Sequence, residues 1–320
     1  MVEQFYRKLM RISGRMTEHT ASDDNECSPR LPMQSTIDLH THTNESDGTL
    51  SPTELVDEAS RIGLRALAIT DHDTLAGYDA AVPHARSSGL ELVCGVELSI
   101  KHHGHSLHLL AYFLQIPAND DFRQWLLALQ TGRRKRNEAL VQKLCSQGMP
   151  MTLDEVAAHG HKLIARPHFA AVMIEKGYVA SRQEAFDKYL DESGSCYIQR
   201  EEPEFEDAID QIQNSGGTAV LPHPSRIRLN GKPLERMVAE MRDSGLKGIE
   251  VYHSDHSPVQ TQFYKDLAGE FGLAATGGSD FHGETKPGVA LGTGIGGNLK
   301  LSYSILEELR RISNAKLENN

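Results

Sequence analysis

Histidines and aspartates at the ends of short β-rich runs are the feature that most restricts the fold of this sequence. The first such run carries His40 and His42, and the last carries Asp280 and His282. Side chains two residues apart on a strand point to the same side, so each pair could bind one shared ligand. A fold that gathers the ends of several strands would concentrate these donors at one place.

The order of predicted elements indicates an α/β fold. A capping box with proline at the first helical position, Ser51 to Glu54, predicts a helix that ends near Ile62. Helices separate most of seven predicted strands, which favours a parallel α/β sheet or barrel. In α/β barrels the active site forms at the C-terminal strand ends. The predicted strands are 37–42, 66–70, 90–100, 106–114, 218–221, 248–252 and 273–276.

The chain divides by composition into four stretches. Residues 1–35 are predicted to be a flexible N-terminal extension, because much of this stretch is polar and patternless. Residues 36–116 and 204–320 carry the strands and form the first and second parts of one barrel. Between them, 117–203 changes to helical spacing and predicts an inserted helical subdomain. This insertion carries the basic run Arg133–Arg136.

Charge, hydropathy and cysteine content exclude several classes of protein. Lys+Arg 33 against Asp+Glu 44 gives a net charge of −11, so double-stranded DNA is not an expected partner. The longest apolar run, 107–114, is far shorter than the ~18 residues of a membrane helix, so no membrane association is expected. The 4 cysteines are widely spaced without a CxxC pair, which is typical of free thiols in the cytoplasm.

Nine side chains with nitrogen or oxygen donors lie at or near the predicted strand ends. Imidazoles and carboxylates without thiolates suit Mn²⁺, Zn²⁺ or Fe²⁺. Nine donors exceed the four of one tetrahedral zinc ion and suffice for two or three ions if a carboxylate bridges them. Glu97, alone near the middle, is the natural bridge. The nine are His40, His42, Asp47, His72, Glu97, His108, His223, Asp280 and His282.

Five motifs in this order resemble the polymerase and histidinol phosphatase (PHP) domain. The resemblance covers about 36–114 and 205–294. It implies a distorted seven-stranded (β/α) barrel of PHP type with an inserted helical subdomain, and a site for three Mn²⁺ ions. The motifs are Asp38-Leu39-His40-Thr41-His42 with Ser46-Asp47-Gly48, Ile69-Thr70-Asp71-His72-Asp73, Gly95-Val96-Glu97, His223-Pro224 and Gly278-Ser279-Asp280-Phe281-His282.

The resemblance also implies how the donors are shared among three ions. A metal-bound hydroxide held by Glu97, with Asp280 and His282, is then the expected nucleophile. The sequence agrees, because no GxSxG, SxxK or cysteine-based motif stands near these residues. The first ion would take His40, His42, Glu97 and Asp280; the second Glu97, His108 and His223; the third Asp47, His72 and His282.

The helical insertion and its arginines resemble one branch of the PHP proteins, the 3′,5′-nucleoside bisphosphate phosphatases. Some members of that branch are also 5′→3′ exoribonucleases of the ribonuclease AM type. The branch implies a phosphoric monoester hydrolase acting on a 3′,5′-bisphosphonucleotide, or an enzyme that trims short RNA. Guanidinium groups match phosphate geometry. The second phosphate is expected to be held by Arg133, Arg134, Arg136, Arg166 and Arg226.

Two other functions stay open at this point. A PHP-type phosphatase could act on a small metabolite such as histidinol phosphate, although a compact monophosphate does not need an overhanging basic insertion. A non-catalytic, metal-bound domain could recruit partners, although the complete donor set argues against a degenerate site.

Residues outside this donor set receive structural interpretations. His253 is expected to be an ordinary core or surface histidine. The stretch His102–His105 is expected to be a solvated loop. One of the two aspartates that flank His72, Asp71 or Asp73, is expected to orient the imidazole of that histidine.

Overall fold

A seven-stranded sheet that curves into a nearly closed barrel forms the centre of the fold. The computed structural model describes residues 36–160, 162–227 and 229–314, so the predicted extension 1–35 lies outside the described residues. The strands follow one another in the sheet in chain order. They are β1 (Ile37–Asp38), β2 (Ala66–Ile69), β3 (Glu91–His102), β4 (His105–Phe113), β5 (Thr218–Leu221), β6 (Gly248–His253) and β7 (Ala274–Gly278).

Ten α-helices lie within the described ranges, and one short two-stranded sheet accompanies the barrel. The helix α1 begins at the predicted capping box, in which Ser51 and Glu54 each cap the other's backbone. None of the helices in the described ranges combines the length and apolar character needed to span a membrane. The helices are α1 (Pro52–Arg61), α2 (Ala76–Ser88), α3 (Asp120–Ser146), α4 (Leu153–His159), α5 (Arg166–Glu175), α6 (Arg182–Ala185, continued by a π-helical turn Phe186–Leu190), α7 (Phe205–Asn214), α8 (Lys232–Ser244), α9 (Pro258–Phe271) and α10 (Ser304–Asn314); the short strands are β8 (Val289–Ala290) and β9 (Gly294–Ile295).

The strand β4 departs from the predicted parallel layout. It runs antiparallel to both β3 and β5, whereas the other neighbouring pairs are parallel. The reason is local: His103 and Gly104 alone connect β3 to β4, and two residues cannot make the crossover that a parallel pair requires. The beginning of β4, rather than its end, therefore lies at the C-terminal edge of the neighbouring strands.

The barrel closes between the segments that follow β1 and β7. The amide of Asp280 donates to the carbonyl of His40 at 2.9 Å, and the amide of His42 donates to the carbonyl of Phe281 at 2.9 Å. A Cβ atom on Gly278 would lie 2.2 Å from the Cβ of His40, so only glycine permits this approach. The closure thus brings the first and last predicted motifs side by side.

Both faces of the sheet are buried. In β2, Ala66 and Ala68 pack inside the barrel with residues such as Leu110, while Leu67 and Ile69 pack beneath α1 and α2. The residues of β2 alternate in this way because successive side chains of a strand point to opposite faces. The continuous apolar character of the strand follows from burial on both sides.

The segment 117–203 contains four helices and a hydrophobic cluster of its own. The long helix α3 belongs to two cores. Its first half packs Phe122 and Leu126 against the barrel, and its second half packs Leu140 and Leu144 against α4, α5 and α6. The helix is therefore the rigid link between the barrel and the helical segment.

A buried ion network also ties this helical segment to the barrel. The Asp73 carboxylate accepts bonds from Arg133 at 2.5 Å, from Arg200 at 2.7 Å and from the Ser99 amide at 2.9 Å. Burial alone would raise the pKa of Asp73, but the guanidinium groups of Arg133 and Arg200 hold it well below its usual range. Asp73 is therefore ionised and neutralises part of the buried positive charge.

We predict that Asp73→Asn lowers the free energy of unfolding by about 3–5 kcal/mol. The substitution leaves the buried guanidinium of Arg133 without a carboxylate and leaves that of Arg200 with Glu202 alone, at 3.7 Å. Urea unfolding measures this difference. The matched control is Asp79→Asn, since Asp79 pairs with Arg123 on the surface and such pairs contribute at most about 1 kcal/mol. Equal losses in the two variants would contradict the importance of the network.

Candidate metal centre

Glu97, in the middle of β3, lies among five imidazole rings. Its Oε1 atom is 2.8 Å from His108 Nδ1 and 2.8 Å from His223 Nε2. The side chain of Glu97 is only 1 % exposed, so it depends on these partners instead of water. Its Oε2 atom is 3.2, 3.1 and 3.4 Å from nitrogens of His40, His42 and His72.

Asp280 supplies a second buried carboxylate, which approaches the same Nε2 atoms of His40 and His42 as Glu97 does. Its Oδ1 atom is 3.4 Å from His42 Nε2 and 3.6 Å from His40 Nε2. The backbone of Asp280 has φ of 57°, which a residue with a side chain rarely adopts. Backbone strain of this kind is common at functional sites.

A third group of donors surrounds Asp47, in the turn after His42. The carboxylate of Asp47 is 3.3 Å from His282 Nε2, 3.6 Å from His42 Nδ1 and 3.7 Å from His72 Nε2. The turn is tight, because a Cβ on Gly48 would lie 2.3 Å from the carbonyl oxygen of His42. The Asp47-Gly48 motif therefore needs glycine at its second position.

All of these donors except His223 fall into three groups, and within each group the ligating atoms lie within 4.8 Å of one another. Within the described ranges, His42 Nε2 and His72 Nδ1 are buried without a hydrogen-bond partner, although carboxylate oxygens lie close to them. Buried nitrogens rarely stay unsatisfied, and a divalent cation between nitrogen and carboxylate would satisfy both. The residues fit two or three such cations. The groups are His40, His42, Glu97 and Asp280; His42, Asp47, His72 and His282; and His72, Glu97 and His108.

The charges in the cluster are balanced between carboxylates and imidazoles. Burial alone would raise the pKa of Glu97, but the surrounding histidines hold it well below its usual range, and the same holds for Asp47 and Asp280. Burial lowers the pKa of His72 to about 3. Burial also lowers the pKa of His42, but the nearby carboxylates of Asp280, Glu97 and Asp47 outweigh it and raise the pKa to about 9. Without an ion, therefore, His42 carries a proton at pH 7.

We predict that cation binding at pH 7 releases protons, because a metal must displace the proton from His42. The raised pKa of about 9 means that this proton is present below pH 9. Mn²⁺ affinity should therefore rise as the pH increases from 7 to 9. Titration calorimetry in buffers of different ionisation enthalpy counts the released protons. The exposed-histidine variant His84→Ala should behave like wild type, and a pH-independent affinity would contradict the prediction.

The carboxylate that orients the histidines is not one that the sequence singled out. Neither aspartate beside His72 bonds to its ring, so that prediction is wrong: Asp71 binds Thr43 and Ser46, and Asp73 binds arginines. Instead, the Oε1 atom of Glu250 lies 3.0 Å from His40 Nδ1, and its Oε2 atom accepts the backbone amide of His223 at 2.7 Å. A lone acidic residue in the apolar strand β6 was the signal that could have identified it.

Three further side chains lie against the outer oxygen of Asp280. Its Oδ2 atom is 2.6 Å from Lys286 Nζ, 2.8 Å from Arg226 Nη2 and 3.5 Å from His253 Nε2. His253 is buried, yet it is not an ordinary core histidine, because its ring faces Asp280. It is the last residue of β6, and several histidines of the cluster likewise lie at or just after strand ends. Sequence reasoning passed over both His253 and Lys286.

A cavity of about 430 Å³ opens beside the cluster. Part of its wall comes from Asp47, His72, His108 and His223, and part from residues of the segment 117–203. Six arginines line it, so the local charge is positive although the whole chain is acidic. They are Arg133, Arg136, Arg166, Arg182, Arg200 and Arg226.

The five predicted substrate arginines occupy different environments. Arg134 is 78 % exposed, pairs with Glu138 and does not line the cavity, so the structure does not bring it together with the other four. Arg133 is engaged by Asp73, and Arg226 is engaged by Asp280 and Asp255. Arg166 lines the cavity and donates to the carbonyl of Leu190 at 3.3 Å. The environment of Arg136 is different again.

Arg136 is a buried guanidinium without a carboxylate partner in the described residues. It is 8 % exposed, and its Nε atom has no hydrogen-bond partner among them. Burial, together with the positive charges of Arg133 and Arg166, lowers the pKa of Arg136 to about 9. An anion in the cavity would relieve this unfavourable electrostatic environment.

Two aromatic residues and two arginines of the cavity were not predicted. Phe186 and Tyr197 line it together with Arg182 and Arg200. No local pattern marks these four residues, which are spread over the last part of the segment 117–203. Only the packing of that segment brings them to one wall.

Comparison with known proteins gives a consistent assignment. The PHP domain family model matches residues 38–213. The chain is 38% identical over 262 residues to the 5'-3' exoribonuclease Rnm of Salmonella typhimurium, covering 80% of this chain and 87% of the relative. It is 32% identical over 258 residues to the 3',5'-nucleoside bisphosphate phosphatase of Chromobacterium violaceum, covering 80% of this chain and 90% of that relative.

Solved structures agree with this assignment. A Bifidobacterium adolescentis protein described as a metal-dependent phosphoesterase superposes with a TM-score of 0.71 at 33% identity, covering 86% of this chain and 96% of that one. A Chromobacterium violaceum protein described as an amidohydrolase with bound sulfate superposes with a TM-score of 0.72 at 30% identity, with the same coverage. The barrel, the histidine and carboxylate cluster and these relatives lead to one conclusion: the chain belongs to the PHP domain family of metal-dependent phosphoesterases.

Proposed function

We propose that this protein removes the 3′-phosphate from 3′,5′-bisphosphonucleotides, and that the same site shortens small RNAs from the 5′ end. The observation that carries the proposal is the buried, unpaired guanidinium of Arg136 in a cavity that also contains the histidine and carboxylate cluster. Such a cavity suits a substrate with two phosphates, because one phosphate can lie at the histidine and carboxylate cluster while the other lies at Arg136. The names of the relatives from Chromobacterium violaceum and Salmonella typhimurium support both activities.

We propose Mn²⁺ as the cofactor, in two or three positions, with Zn²⁺ and Fe²⁺ as the alternatives that the same donors would accept. When bound, such ions neutralise phosphoryl oxygens and lower the pKa of water. His72 lies close to both Asp47 and Glu97, so it stands between two of the proposed sets. The proposed ligand sets are His40, His42, Glu97 and Asp280; Glu97, His108 and His223; and Asp47, His72 and His282.

The residues of the chain then have distinct tasks. Arg226 and Lys286 hold the outer oxygen of Asp280 and so fix its inner oxygen toward His40 and His42. Arg136 and Arg166 bind the phosphate that does not react. The ring faces of Phe186 and Tyr197 are available to a nucleobase. No side chain of the protein needs to act as the nucleophile.

The two other functions that the sequence left open fit the cavity less well. Histidinol phosphate carries one phosphate, so it would leave the arginine wall without an anion. A binding-only domain would not need the full set of nine donors, all of which lie in or beside the cluster.

The proposal places the protein in the cytoplasm, acting on a nucleotide or short RNA and not on double-stranded DNA. Of the cysteines, Cys94, Cys145 and Cys196 are free, and Cys27 lies outside the described residues. Burial raises the pKa of Cys94 to about 12, so this thiol is unreactive. Free thiols agree with a reducing compartment.

With Mn²⁺ present, we expect kcat/KM for phosphate release to be higher on 3′,5′-bisphosphoadenosine than on histidinol phosphate. A short 5′-phosphorylated RNA should lose nucleotides from its 5′ end. The variant Asp280→Asn should lose both bound metal and activity while the fold persists, and it serves as the inactive control. A preference for histidinol phosphate, or metal binding without turnover of any substrate, would contradict the proposal.

We predict that Arg136→Ala lowers kcat/KM on the bisphosphonucleotide about ten- to a hundredfold. A charge-assisted phosphate contact contributes roughly 1.5–3 kcal/mol, which corresponds to that range. Hydrolysis of p-nitrophenyl phosphate should stay near wild type, because this ester lacks the second phosphate. The matched control is Arg134→Ala, two residues away on α3 and outside the cavity. Equal losses on both substrates would place Arg136 at the reacting phosphate or in structural support.

A further inference from the structure

The hairpin between β3 and β4 carries two histidines that do not belong to the centre around Glu97. His103 and Gly104 form its two-residue turn, with φ of 49° and 79°, as primed hairpin turns require. His102 is 4 % exposed, whereas the side chain of His103 is 68 % exposed. The prediction of a solvated loop is therefore wrong for His102. The two rings lie close together, with centroids 4.1 Å apart.

A carboxylate from α8 faces both rings. The Oε2 atom of Glu240 is 3.0 Å from His103 Nε2 and 3.9 Å from His102 Nε2. On the opposite side of His102, Glu206 of α7 approaches Nδ1 to 3.9 Å. His102 therefore lies between two acidic side chains from two different helices.

The Nε2 atom of His102 is buried and, within the described ranges, has no hydrogen-bond partner. Unsatisfied polar atoms of this kind are rare in protein interiors, and this one points toward Glu240. Burial, reinforced by the neighbouring His103, lowers the pKa of His102.

The distances suit a transition-metal ion. In a tetrahedral zinc site with bonds of about 2.0–2.1 Å, neighbouring ligand atoms are roughly 3.3 Å apart. The distances from Glu240 Oε2 to His103 Nε2 and His102 Nε2, 3.0 and 3.9 Å, lie on either side of that separation. The ligating atoms of all three residues lie within 4.8 Å of one another. Small side-chain rotations would complete the geometry.

We propose that His102, His103 and Glu240 form a second, independent site for a divalent cation of the zinc class, with one position left to water. Two imidazoles and one carboxylate are donors that such cations accept. His102 is five residues from Glu97 along β3, a separation of about 16 Å in a strand. A cation here joins the β3–β4 hairpin, which also carries His108, to helix α8.

The test is the number of zinc ions bound by full-length protein dialysed against micromolar Zn²⁺, measured by elemental analysis. Wild type should bind one more equivalent than His103→Ala or Glu240→Gln, both of which change exposed side chains and leave the core intact. Titration with Co²⁺ should give wild type visible absorption bands, beyond those of the centre around Glu97, that these two variants lack.

The matched controls are Asp243→Asn, which removes an acidic side chain from the same helix, and His84→Ala, which removes an exposed histidine elsewhere. Both should keep the additional zinc equivalent. Activity with Mn²⁺ on p-nitrophenyl phosphate should be unchanged in His103→Ala and Glu240→Gln, since neither residue belongs to the centre around Glu97. Equal zinc stoichiometry and affinity in wild type and these two variants would overturn the proposal.

Discussion

The burial of Glu97 among five imidazoles is the interaction on which the rest of the structure depends. An ionised carboxylate is strongly disfavoured in a protein interior unless charged or hydrogen-bonding groups surround it. The imidazoles come from four segments: those after β1, β2 and β5, and the first half of β4. These segments must meet at one edge of the barrel for the carboxylate to be satisfied. The same requirement gathers donors that suit divalent cations.

The geometry of the cluster is maintained against local backbone preferences. Asp73, His223 and Asp280 have φ of 55°, 29° and 57°, and such conformations cost about 1–3 kcal/mol each. Hydrogen bonds fix the last two: the amide of His223 donates to Glu250, and the amide of Asp280 donates to the carbonyl of His40. Closure of the barrel and positioning of the candidate metal-binding side chains are therefore one structural event.

The balance of charge decides which arginines are available to an anion. Asp73 follows His72 directly in the chain and binds Arg133 and Arg200, so these two guanidinium groups are already neutralised in part. Arg136, one helical turn after Arg133, has no such partner among the described residues. A chain with a net charge of −11 thus presents a positive wall beside its metal centre. Net charge describes long-range behaviour, whereas burial and pairing set the chemistry of a cavity.

The sequence by itself determined the α/β class and the capped first helix, and it singled out nine side chains that the structure places in or beside one cluster. These features depend on local patterns: residue spacing, side-chain type and a turn glycine, Gly48, that nothing larger can replace. The tertiary structure alone decided the roles that arise between distant segments. His40 is 210 residues from Glu250, and Arg133 and Arg134 are neighbours in sequence but face opposite environments. Such roles depend on which segments pack together, and no local pattern records that packing.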